Sequence, residues 1–306
     1  MQIPAPGRLV GAPPNQLHIH VQGQGTPVVV LEAGIAASSV SWSLVQQRIA
    51  AITTVVSYDR GGFGWSSPPR FPCTAAHAAC DLRGLLQSAG FTDPCLFVGH
   101  SFGGLIVRRY QQQFPKHVAG MVLVDPVIRE EWRGAAAEKL RTLARGVTLS
   151  RRGAILARLG IVGFALKLLT RGSQRLPRLL ARASAGGAAG VTDRLVGEVR
   201  KMPRHLWPAI AQHWSQAQSF HAMADYLENL PLSAAHLDEV RSLDDLPLVV
   251  LSGTRLVPEH AYDAALSTRG EHIVVPDAGH WIQLDAPDAV LAAVIRVVAE
   301  VRAGTC

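Results

Sequence analysis

"CLFVGHSFGGLIVRRY", Cys95 to Tyr110, sets one polar side chain, Ser101, between two groups of glycines. Its first half, Leu96-Phe97-Val98, is a short apolar run of the kind that forms a buried strand. Its second half runs from Leu105 through Tyr110 to Phe114 with helical character and stops before Pro115. The five residues between, Gly99-His100-Ser101-Phe102-Gly103, fit the pattern G-x-S-x-G. A sharp strand-to-helix turn leaves no room for side chains on either flank, so glycines are required there. The same turn strains the serine backbone and lifts its Oγ above the sheet. The start of the helix then aims free N–H groups at the place where an oxyanion would form. An incidental serine in a glycine-rich turn is the plainer alternative. The strand before it and the helix after it argue against that.

Outward from this turn, apolar strands and amphipathic helices alternate. Strands are expected at "LHIHVQG", at Pro27–Leu31, at Thr53–Tyr58, in "VAGMVLVDP", in "LPLVVLSG" and in "EHIVVPDAGH". Helices are expected from about Thr74 to Ala89, from about Glu259 to Ser267, and in the closing "PDAVLAAVIRVVAEVR". That alternation predicts an α/β fold with a mainly parallel sheet covered on both faces. The rhythm breaks between Val127 and Leu246. There "GAILARLGIVGFALKLL" reads as helical, "ASAGGAAG" as a breaker, and "HLWPAIAQHWSQAQSFHAMADYLENL" as one or two aromatic-rich helices. Residues 127–246 are therefore expected to form a helical insertion, with 1–126 and 247–306 as the core.

Composition bounds the rest. A chain of 306 residues, 48% of them hydrophobic, can bury a full core. No uncharged apolar stretch is long enough to span a bilayer, and "MQIPAPGRLVGAPPNQ" lacks the order of a signal peptide. Cys73, Cys80, Cys95 and Cys306 show no metal or redox spacing, so free thiols and a cytoplasmic location are expected; Cys73 and Cys80 would meet only if their loop folded back. Charge is uneven. From Arg129 to Arg204, 17 lysines and arginines stand against 5 acidic residues, a net +12, leaving −5 on the remainder of a chain whose total is +7. A basic middle between acidic flanks suggests a unit with its own surface. No nucleic-acid motif accompanies it, so no nucleic-acid partner is expected. The apolar helix inside it leaves room for weak contact with an anionic membrane surface, but a soluble chain whose basic face is simply solvated is the default expectation.

The segments "VVVLEAGIAASSVSW", "SYDRGGFGWSSP", "VGHSFGGLIVRRY", "VAGMVLVDP" and "PDAGHWIQLDAPDAV" together resemble the α/β-hydrolase family in order and spacing, on both sides of the insertion. The resemblance implies an α/β-hydrolase sheet, a cap inserted after the strand that ends near Asp125, and a triad in the chain order nucleophile, acid, histidine. Ser101 matches the nucleophile, and a serine hydroxyl needs a base within hydrogen-bond reach. His280 matches that base. Among twelve histidines it is the one that follows the last strand and precedes the closing helix. The oxyanion donors would be the backbone amides of Phe102 and Ile35. Many members have His-Gly where this chain has Ala33-Gly34.

Two positions compete for the acid. Many relatives carry aspartate after the strand corresponding to "LPLVVLSG". Here the sequence is "GTRLVPEHAYD", with Leu256 or a deletion at that place and Glu259 and Asp263 close by but displaced into the helix start. The other candidate is Asp125 in "LVDPV", similar to the Asp-Pro turn of pancreatic-type lipases. Either need only reach the far nitrogen of His280 and fix its tautomer. Asp277 is too near His280 in sequence and reads as a loop cap. Glu32, charged at the end of a buried strand, requires a partner. Asp59 and Arg60 in "YDRGGFGWS" are expected to pin their loop; Trp65 either lines the entrance or packs. Trp207, Trp214, Phe220, Met223 and Tyr226 form either a helix core or one side of a pocket.

The resemblance implies a serine hydrolase cleaving carboxylic esters, carboxylesterase-like, that works without metal or cofactor on a small-molecule ester. Lactonase, amidase or carbon–carbon hydrolase chemistry on the same residues, or a non-catalytic binding module of the same fold, are the alternatives.

Overall fold

One eight-stranded sheet organises the molecule, in the order β1-β2-β4-β3-β5-β6-β7-β8. The strands are β1 (Arg8–Val10), β2 (Leu17–Gln22), β3 (Val29–Glu32), β4 (Val55–Tyr58), β5 (Cys95–His100), β6 (Val118–Val124), β7 (Leu248–Ser252) and β8 (Gly270–Val274). From β4 to β8 every pairing is parallel; β1 and β2 join antiparallel at one edge. The computed structural model describes residues 4–132, 134–170, 198–237, 242–255 and 257–304.

The central strands are buried along their whole length, as a sheet with helices on both faces requires. Successive residues then feed opposite layers. Val30, Val56, Phe97, Met121 and Val250 face one core with the helices Ala75–Ser88 and Phe102–Gln113. Val29, Val55, Leu96, Val122 and Val249 face the other with Ser43–Ala50 and Pro287–Gly304. Pro287–Gly304 buries Val290, Ala293, Val294, Val297 and Val298, a stripe with the helical period. Ala75–Ser88 starts where Thr74 accepts a hydrogen bond from the His77 amide at 3.2 Å.

Between β6 and β7 lie the helices Ala137–Arg158, Ile161–Thr170, Trp207–Trp214, Ala217–Glu228 and Leu230–Ala235. The stretch "GAILARLGIVGFALKLL", expected to be helical, is divided between two helices. Gly160 takes φ +74°, a conformation that ends helices, and the chain turns there. The aromatic-rich stretch is likewise two helices, interrupted at Ser215 and Gln216. β1 was not legible from the sequence. Cys73, Cys80 and Cys95 are free, so no disulfide joins Cys73 to Cys80. "ASAGGAAG", Leu256 and Cys306 lie outside the described residues.

Candidate active site

Ser101 follows β5 directly and takes φ +54°, ψ −119°, a conformation that costs a non-glycine residue about 1–3 kcal/mol. Surrounding bonds hold it there. Its amide donates to Val124 O at 3.1 Å, and its carbonyl accepts from Gly104 at 2.9 Å and Val127 at 3.1 Å. The flanking glycines are required by space. A Cβ on Gly99 would stand 2.7 Å from Gly103 O, and one on Gly103 would stand 2.5 Å from Glu32 O.

Parallel register decides which carboxylate reaches this turn. His100 on β5 is level with Val124 on β6. The next residues, Ser101 and Asp125, therefore leave adjacent strands at the same height. Asp125 also takes a positive φ, +41°, and its amide is held by Leu251 O at 2.7 Å. His280 arrives from the loop after β8 and bridges them. Its Nε2 lies 2.9 Å from Ser101 Oγ and its Nδ1 lies 2.5 Å from Asp125 Oδ2. A carboxylate only accepts, so Nδ1 carries the proton and donates to Asp125, while Nε2 accepts from the serine hydroxyl.

Two further histidines, which the sequence reading did not single out, complete this constellation. His260 is buried, with Nε2 3.5 Å from Asp125 Oδ1, the oxygen His280 does not use. Burial alone would raise the pKa of Asp125. Hydrogen bonds from His260 and His280 outweigh it and hold the carboxyl well below the usual carboxylate range. His100, also buried, has Nε2 2.8 Å from the backbone oxygen of His280, and its ring lies 5.0 Å from that of Trp281. Burial and then the neighbouring His280 push its pKa down to about 3, so it is neutral and donates from Nε2. Glu259 sits on the helix Val257–Ala264, one strand further along the sheet, and among the described residues the His280 ring bonds to Ser101 and Asp125 and not to it; its Oε2 is buried without a partner.

The loop after β3 supplies the opposite wall. Among the described residues neither the Ile35 nor the Phe102 amide donates a backbone hydrogen bond. Arg60 fixes the loop from below: its guanidinium donates to Glu32, to Ala33 O and, at 2.6 Å, to Gly34 O. The Gly34 carbonyl and the Ile35 N–H belong to one peptide plane, so Arg60 sets the direction of that N–H. Glu32 also accepts from Tyr58; burial pushes its carboxyl up, against the opposing charge of Arg60. Asp59 accepts from His18 Nδ1 at 2.8 Å, from the Ser39 amide at 2.6 Å and from the Trp65 amide at 3.1 Å.

The inserted helix Ala217–Glu228 lies against this wall. Tyr226 is buried, with its ring 5.2 Å from Phe102 and over the Arg60 guanidinium. Trp207 and Trp214 pack with Trp65, Val40 and Trp281, and Trp214 meets Phe220 edge-on at 5.9 Å. Met223 joins the main core. The aromatic stripe thus divides between helix packing and contact with the serine turn. Among the described residues no group of three or more His, Cys, Asp or Glu is arranged to hold a metal ion.

Residues 27–287 match the α/β hydrolase fold family. An AB hydrolase superfamily protein of Gibberella zeae is 34% identical over 123 residues, 37% of this chain and 38% of that protein. The chain spans 28% to 43% of the length of the first such relatives it matches. Two solved structures follow the fold nearly end to end. A thermophilic esterase from Thermogutta terrifontis is 21% identical over 95% of this chain and 97% of its own, with a TM-score of 0.65. A Pseudomonas aeruginosa protein provisionally assigned as an epoxide hydrolase is 20% identical over 96% and 95%, with a TM-score of 0.71.

Proposed function

This chain belongs to the α/β-hydrolase fold family, and within it we propose that it is a serine hydrolase cleaving carboxylic esters through an acyl-enzyme. The observation that carries this reading is the continuous hydrogen-bonded line Ser101–His280–Asp125, with Ser101 held at positive φ. As Ser101 Oγ attacks the ester carbonyl, its proton passes to His280 Nε2, and Asp125 stabilises the imidazolium. The carbonyl oxygen becomes an oxyanion facing the Ile35 and Phe102 amides. Arg60, hydrogen-bonded to the Gly34 carbonyl, both orients and polarises the peptide that carries the Ile35 N–H. His280 then gives its proton to the leaving alcohol, and water, deprotonated by the same imidazole, releases the acid. In this reading the helices between β6 and β7 are a cap, anchored beside the serine turn by Tyr226 packed on Phe102. The esterase neighbour accords with this chemistry. A serine nucleophile does not suit epoxide opening, for which relatives carry a carboxylate at the turn.

A fluorophosphonate probe and a short p-nitrophenyl ester test the proposal together. The expected result is labelling at Ser101 and ester hydrolysis, both abolished in Ser101→Ala with an unchanged melting temperature. A wild-type chain that neither labels nor hydrolyses would favour the binding-module alternative. Hydrolysis undiminished in Ser101→Ala would remove Ser101 from the chemistry.

A further inference from the structure

The helix Ala137–Arg158 has two unlike faces. Val147, Ser150, Ala154 and Ala157 are its buried residues, and this helix packs on Ala217–Glu228, with the Phe220 ring against Gly153. The face turned away carries Arg141, Arg145, Thr148, Arg152, Ile155 and then Leu159, all exposed, at steps of four, three, four, three and four. At 100° per residue those six positions fall within roughly 80° of one another, a single narrow stripe. Arg141, Arg145 and Arg152 make no ion pair among the described residues. The stripe runs from basic to apolar. Ile155 is 59% exposed, Leu159 68%, and Phe164, on the next helix beyond the Gly160 turn, 57%. Residues 137–170 hold seven lysines and arginines against one acidic residue, Glu138.

We propose that this stripe and its tip form a docking surface for an anionic lipid bilayer, with Ile155, Leu159 and Phe164 entering the headgroup–acyl boundary and the arginines facing lipid phosphates. Charge complementarity selects an anionic partner, and a tip with two aliphatic side chains, Ile155 and Leu159, beside the single aromatic ring of Phe164 selects lipid over nucleic acid, whose contacts draw on phosphate pairing and several stacking rings. Three large apolar side chains exposed to water on either side of the Gly160 turn gain by leaving it, and each nearby arginine adds attraction that salt screens. The surface is one helix from the site: Ala137–Arg158 rests on Ala217–Glu228, which places Tyr226 against Phe102. A bilayer-bound molecule would face a source of apolar substrate. The inference goes beyond the ester-cleavage reading and does not depend on it, because docking is read without turnover.

Flotation with vesicles of pure phosphatidylcholine, and of equal parts phosphatidylcholine and phosphatidylglycerol, tests it on the full chain. Partition into the anionic vesicles alone, weakening with salt, is expected. Ile155→Glu/Phe164→Glu and Arg141→Glu/Arg145→Glu/Arg152→Glu should each lower partition by at least about tenfold, while melting temperature and hydrolysis of a water-soluble ester stay at the wild-type level. Equal recovery in the soluble fraction with both vesicle types overturns the proposal, as does partition that neither variant changes. A wild-type oligomer by size exclusion that Ile155→Glu/Phe164→Glu converts to monomer would assign the tip to a second copy of the chain instead. Duplex DNA binding that Arg141→Glu/Arg145→Glu/Arg152→Glu removes, without vesicle partition, would assign the stripe to nucleic acid.

Discussion

Replacing Asp125 by asparagine tests the site at the point where two histidines converge. The carboxylate accepts from His280 on one oxygen and faces His260 on the other. A carboxamide has one accepting oxygen and one donating nitrogen, so it cannot satisfy both rings in their present tautomers. If its NH₂ faces His280, that ring must move its proton to Nε2 and can no longer take the proton of Ser101. If its oxygen faces His280, the NH₂ meets His260 Nε2. His260 must then carry its proton on Nδ1, an atom buried without a partner, at a cost of about 1–3 kcal/mol. The first arrangement therefore prevails, and kcat should fall by about 10⁴-fold, or about 5 kcal/mol of barrier. The structure adds a second magnitude. Removing His260 frees the carboxamide to choose the productive orientation, so Asp125→Asn/His260→Leu should recover about ten- to a hundred-fold of the lost rate, the same 1–3 kcal/mol at 1.36 kcal/mol per tenfold. His260→Leu alone should lower kcat modestly. Initial rates on a short p-nitrophenyl ester, with a melting curve for each variant, complete the double-mutant cycle. A folded Asp125→Asn enzyme with near-native kcat refutes the role of Asp125, and Glu259→Gln then becomes the variant to measure. A double variant no faster than Asp125→Asn refutes the tautomer argument.

Two other expectations follow from the same neighbourhood. His100 is neutral when folded, with a pKa near 3 against the ordinary 6.5, so the unfolded chain binds a proton that the native chain refuses. Its contribution is complete above pH 6.5 and is lost as pH falls, by roughly 3 kcal/mol at pH 4. The loss tied to Asp125, whose pKa is depressed, begins only below about pH 4. Melting temperature followed from pH 7 to pH 4 should therefore decline less steeply in His100→Gln; an unchanged slope would mean that His100 titrates normally. Gly34→Ala would put a Cβ 2.9 Å from His100 Nδ1 and 3.3 Å from Ser101 Cβ. On the proposed reading, displacement of the loop after β3 should cost kcat about 10²-fold with the fold retained, and wild-type kcat would show that the loop yields without consequence.

The sequence alone determined the central strands of the sheet, though not the edge strand β1, because strands buried on both faces must be continuous apolar runs and the helices between them must alternate with the helical period. "VVVLE", "CLFVGH" and "PLVVLS" admit little else. It also marked Ser101, since the G-x-S-x-G spacing is local; of the two glycines, Gly99 is demanded by Gly103 and Val107 close in the chain, whereas Gly103 is demanded by the distant Glu32 and Ala33 carbonyls. His280 was legible by position, as the histidine between the last strand and the closing helix. The choice between Asp125 and Glu259 as partner of His280 was not. Which carboxylate comes level with Ser101 depends on β5–β6 register and on where the helix after β7 begins, neither of which is local. His260 and the Arg60 bond to Gly34 were hidden for the same reason, being contacts across 135 and 26 residues of chain, respectively. The inserted helices show the limit most plainly. Their charge and apolar content could be counted in the sequence, but the bend at Gly160 and the side turned to Ala217–Glu228 decide which residues face water. Only tertiary packing separates Ala154 and Ala157, which it buries, from Ile155 and Leu159, which it leaves exposed.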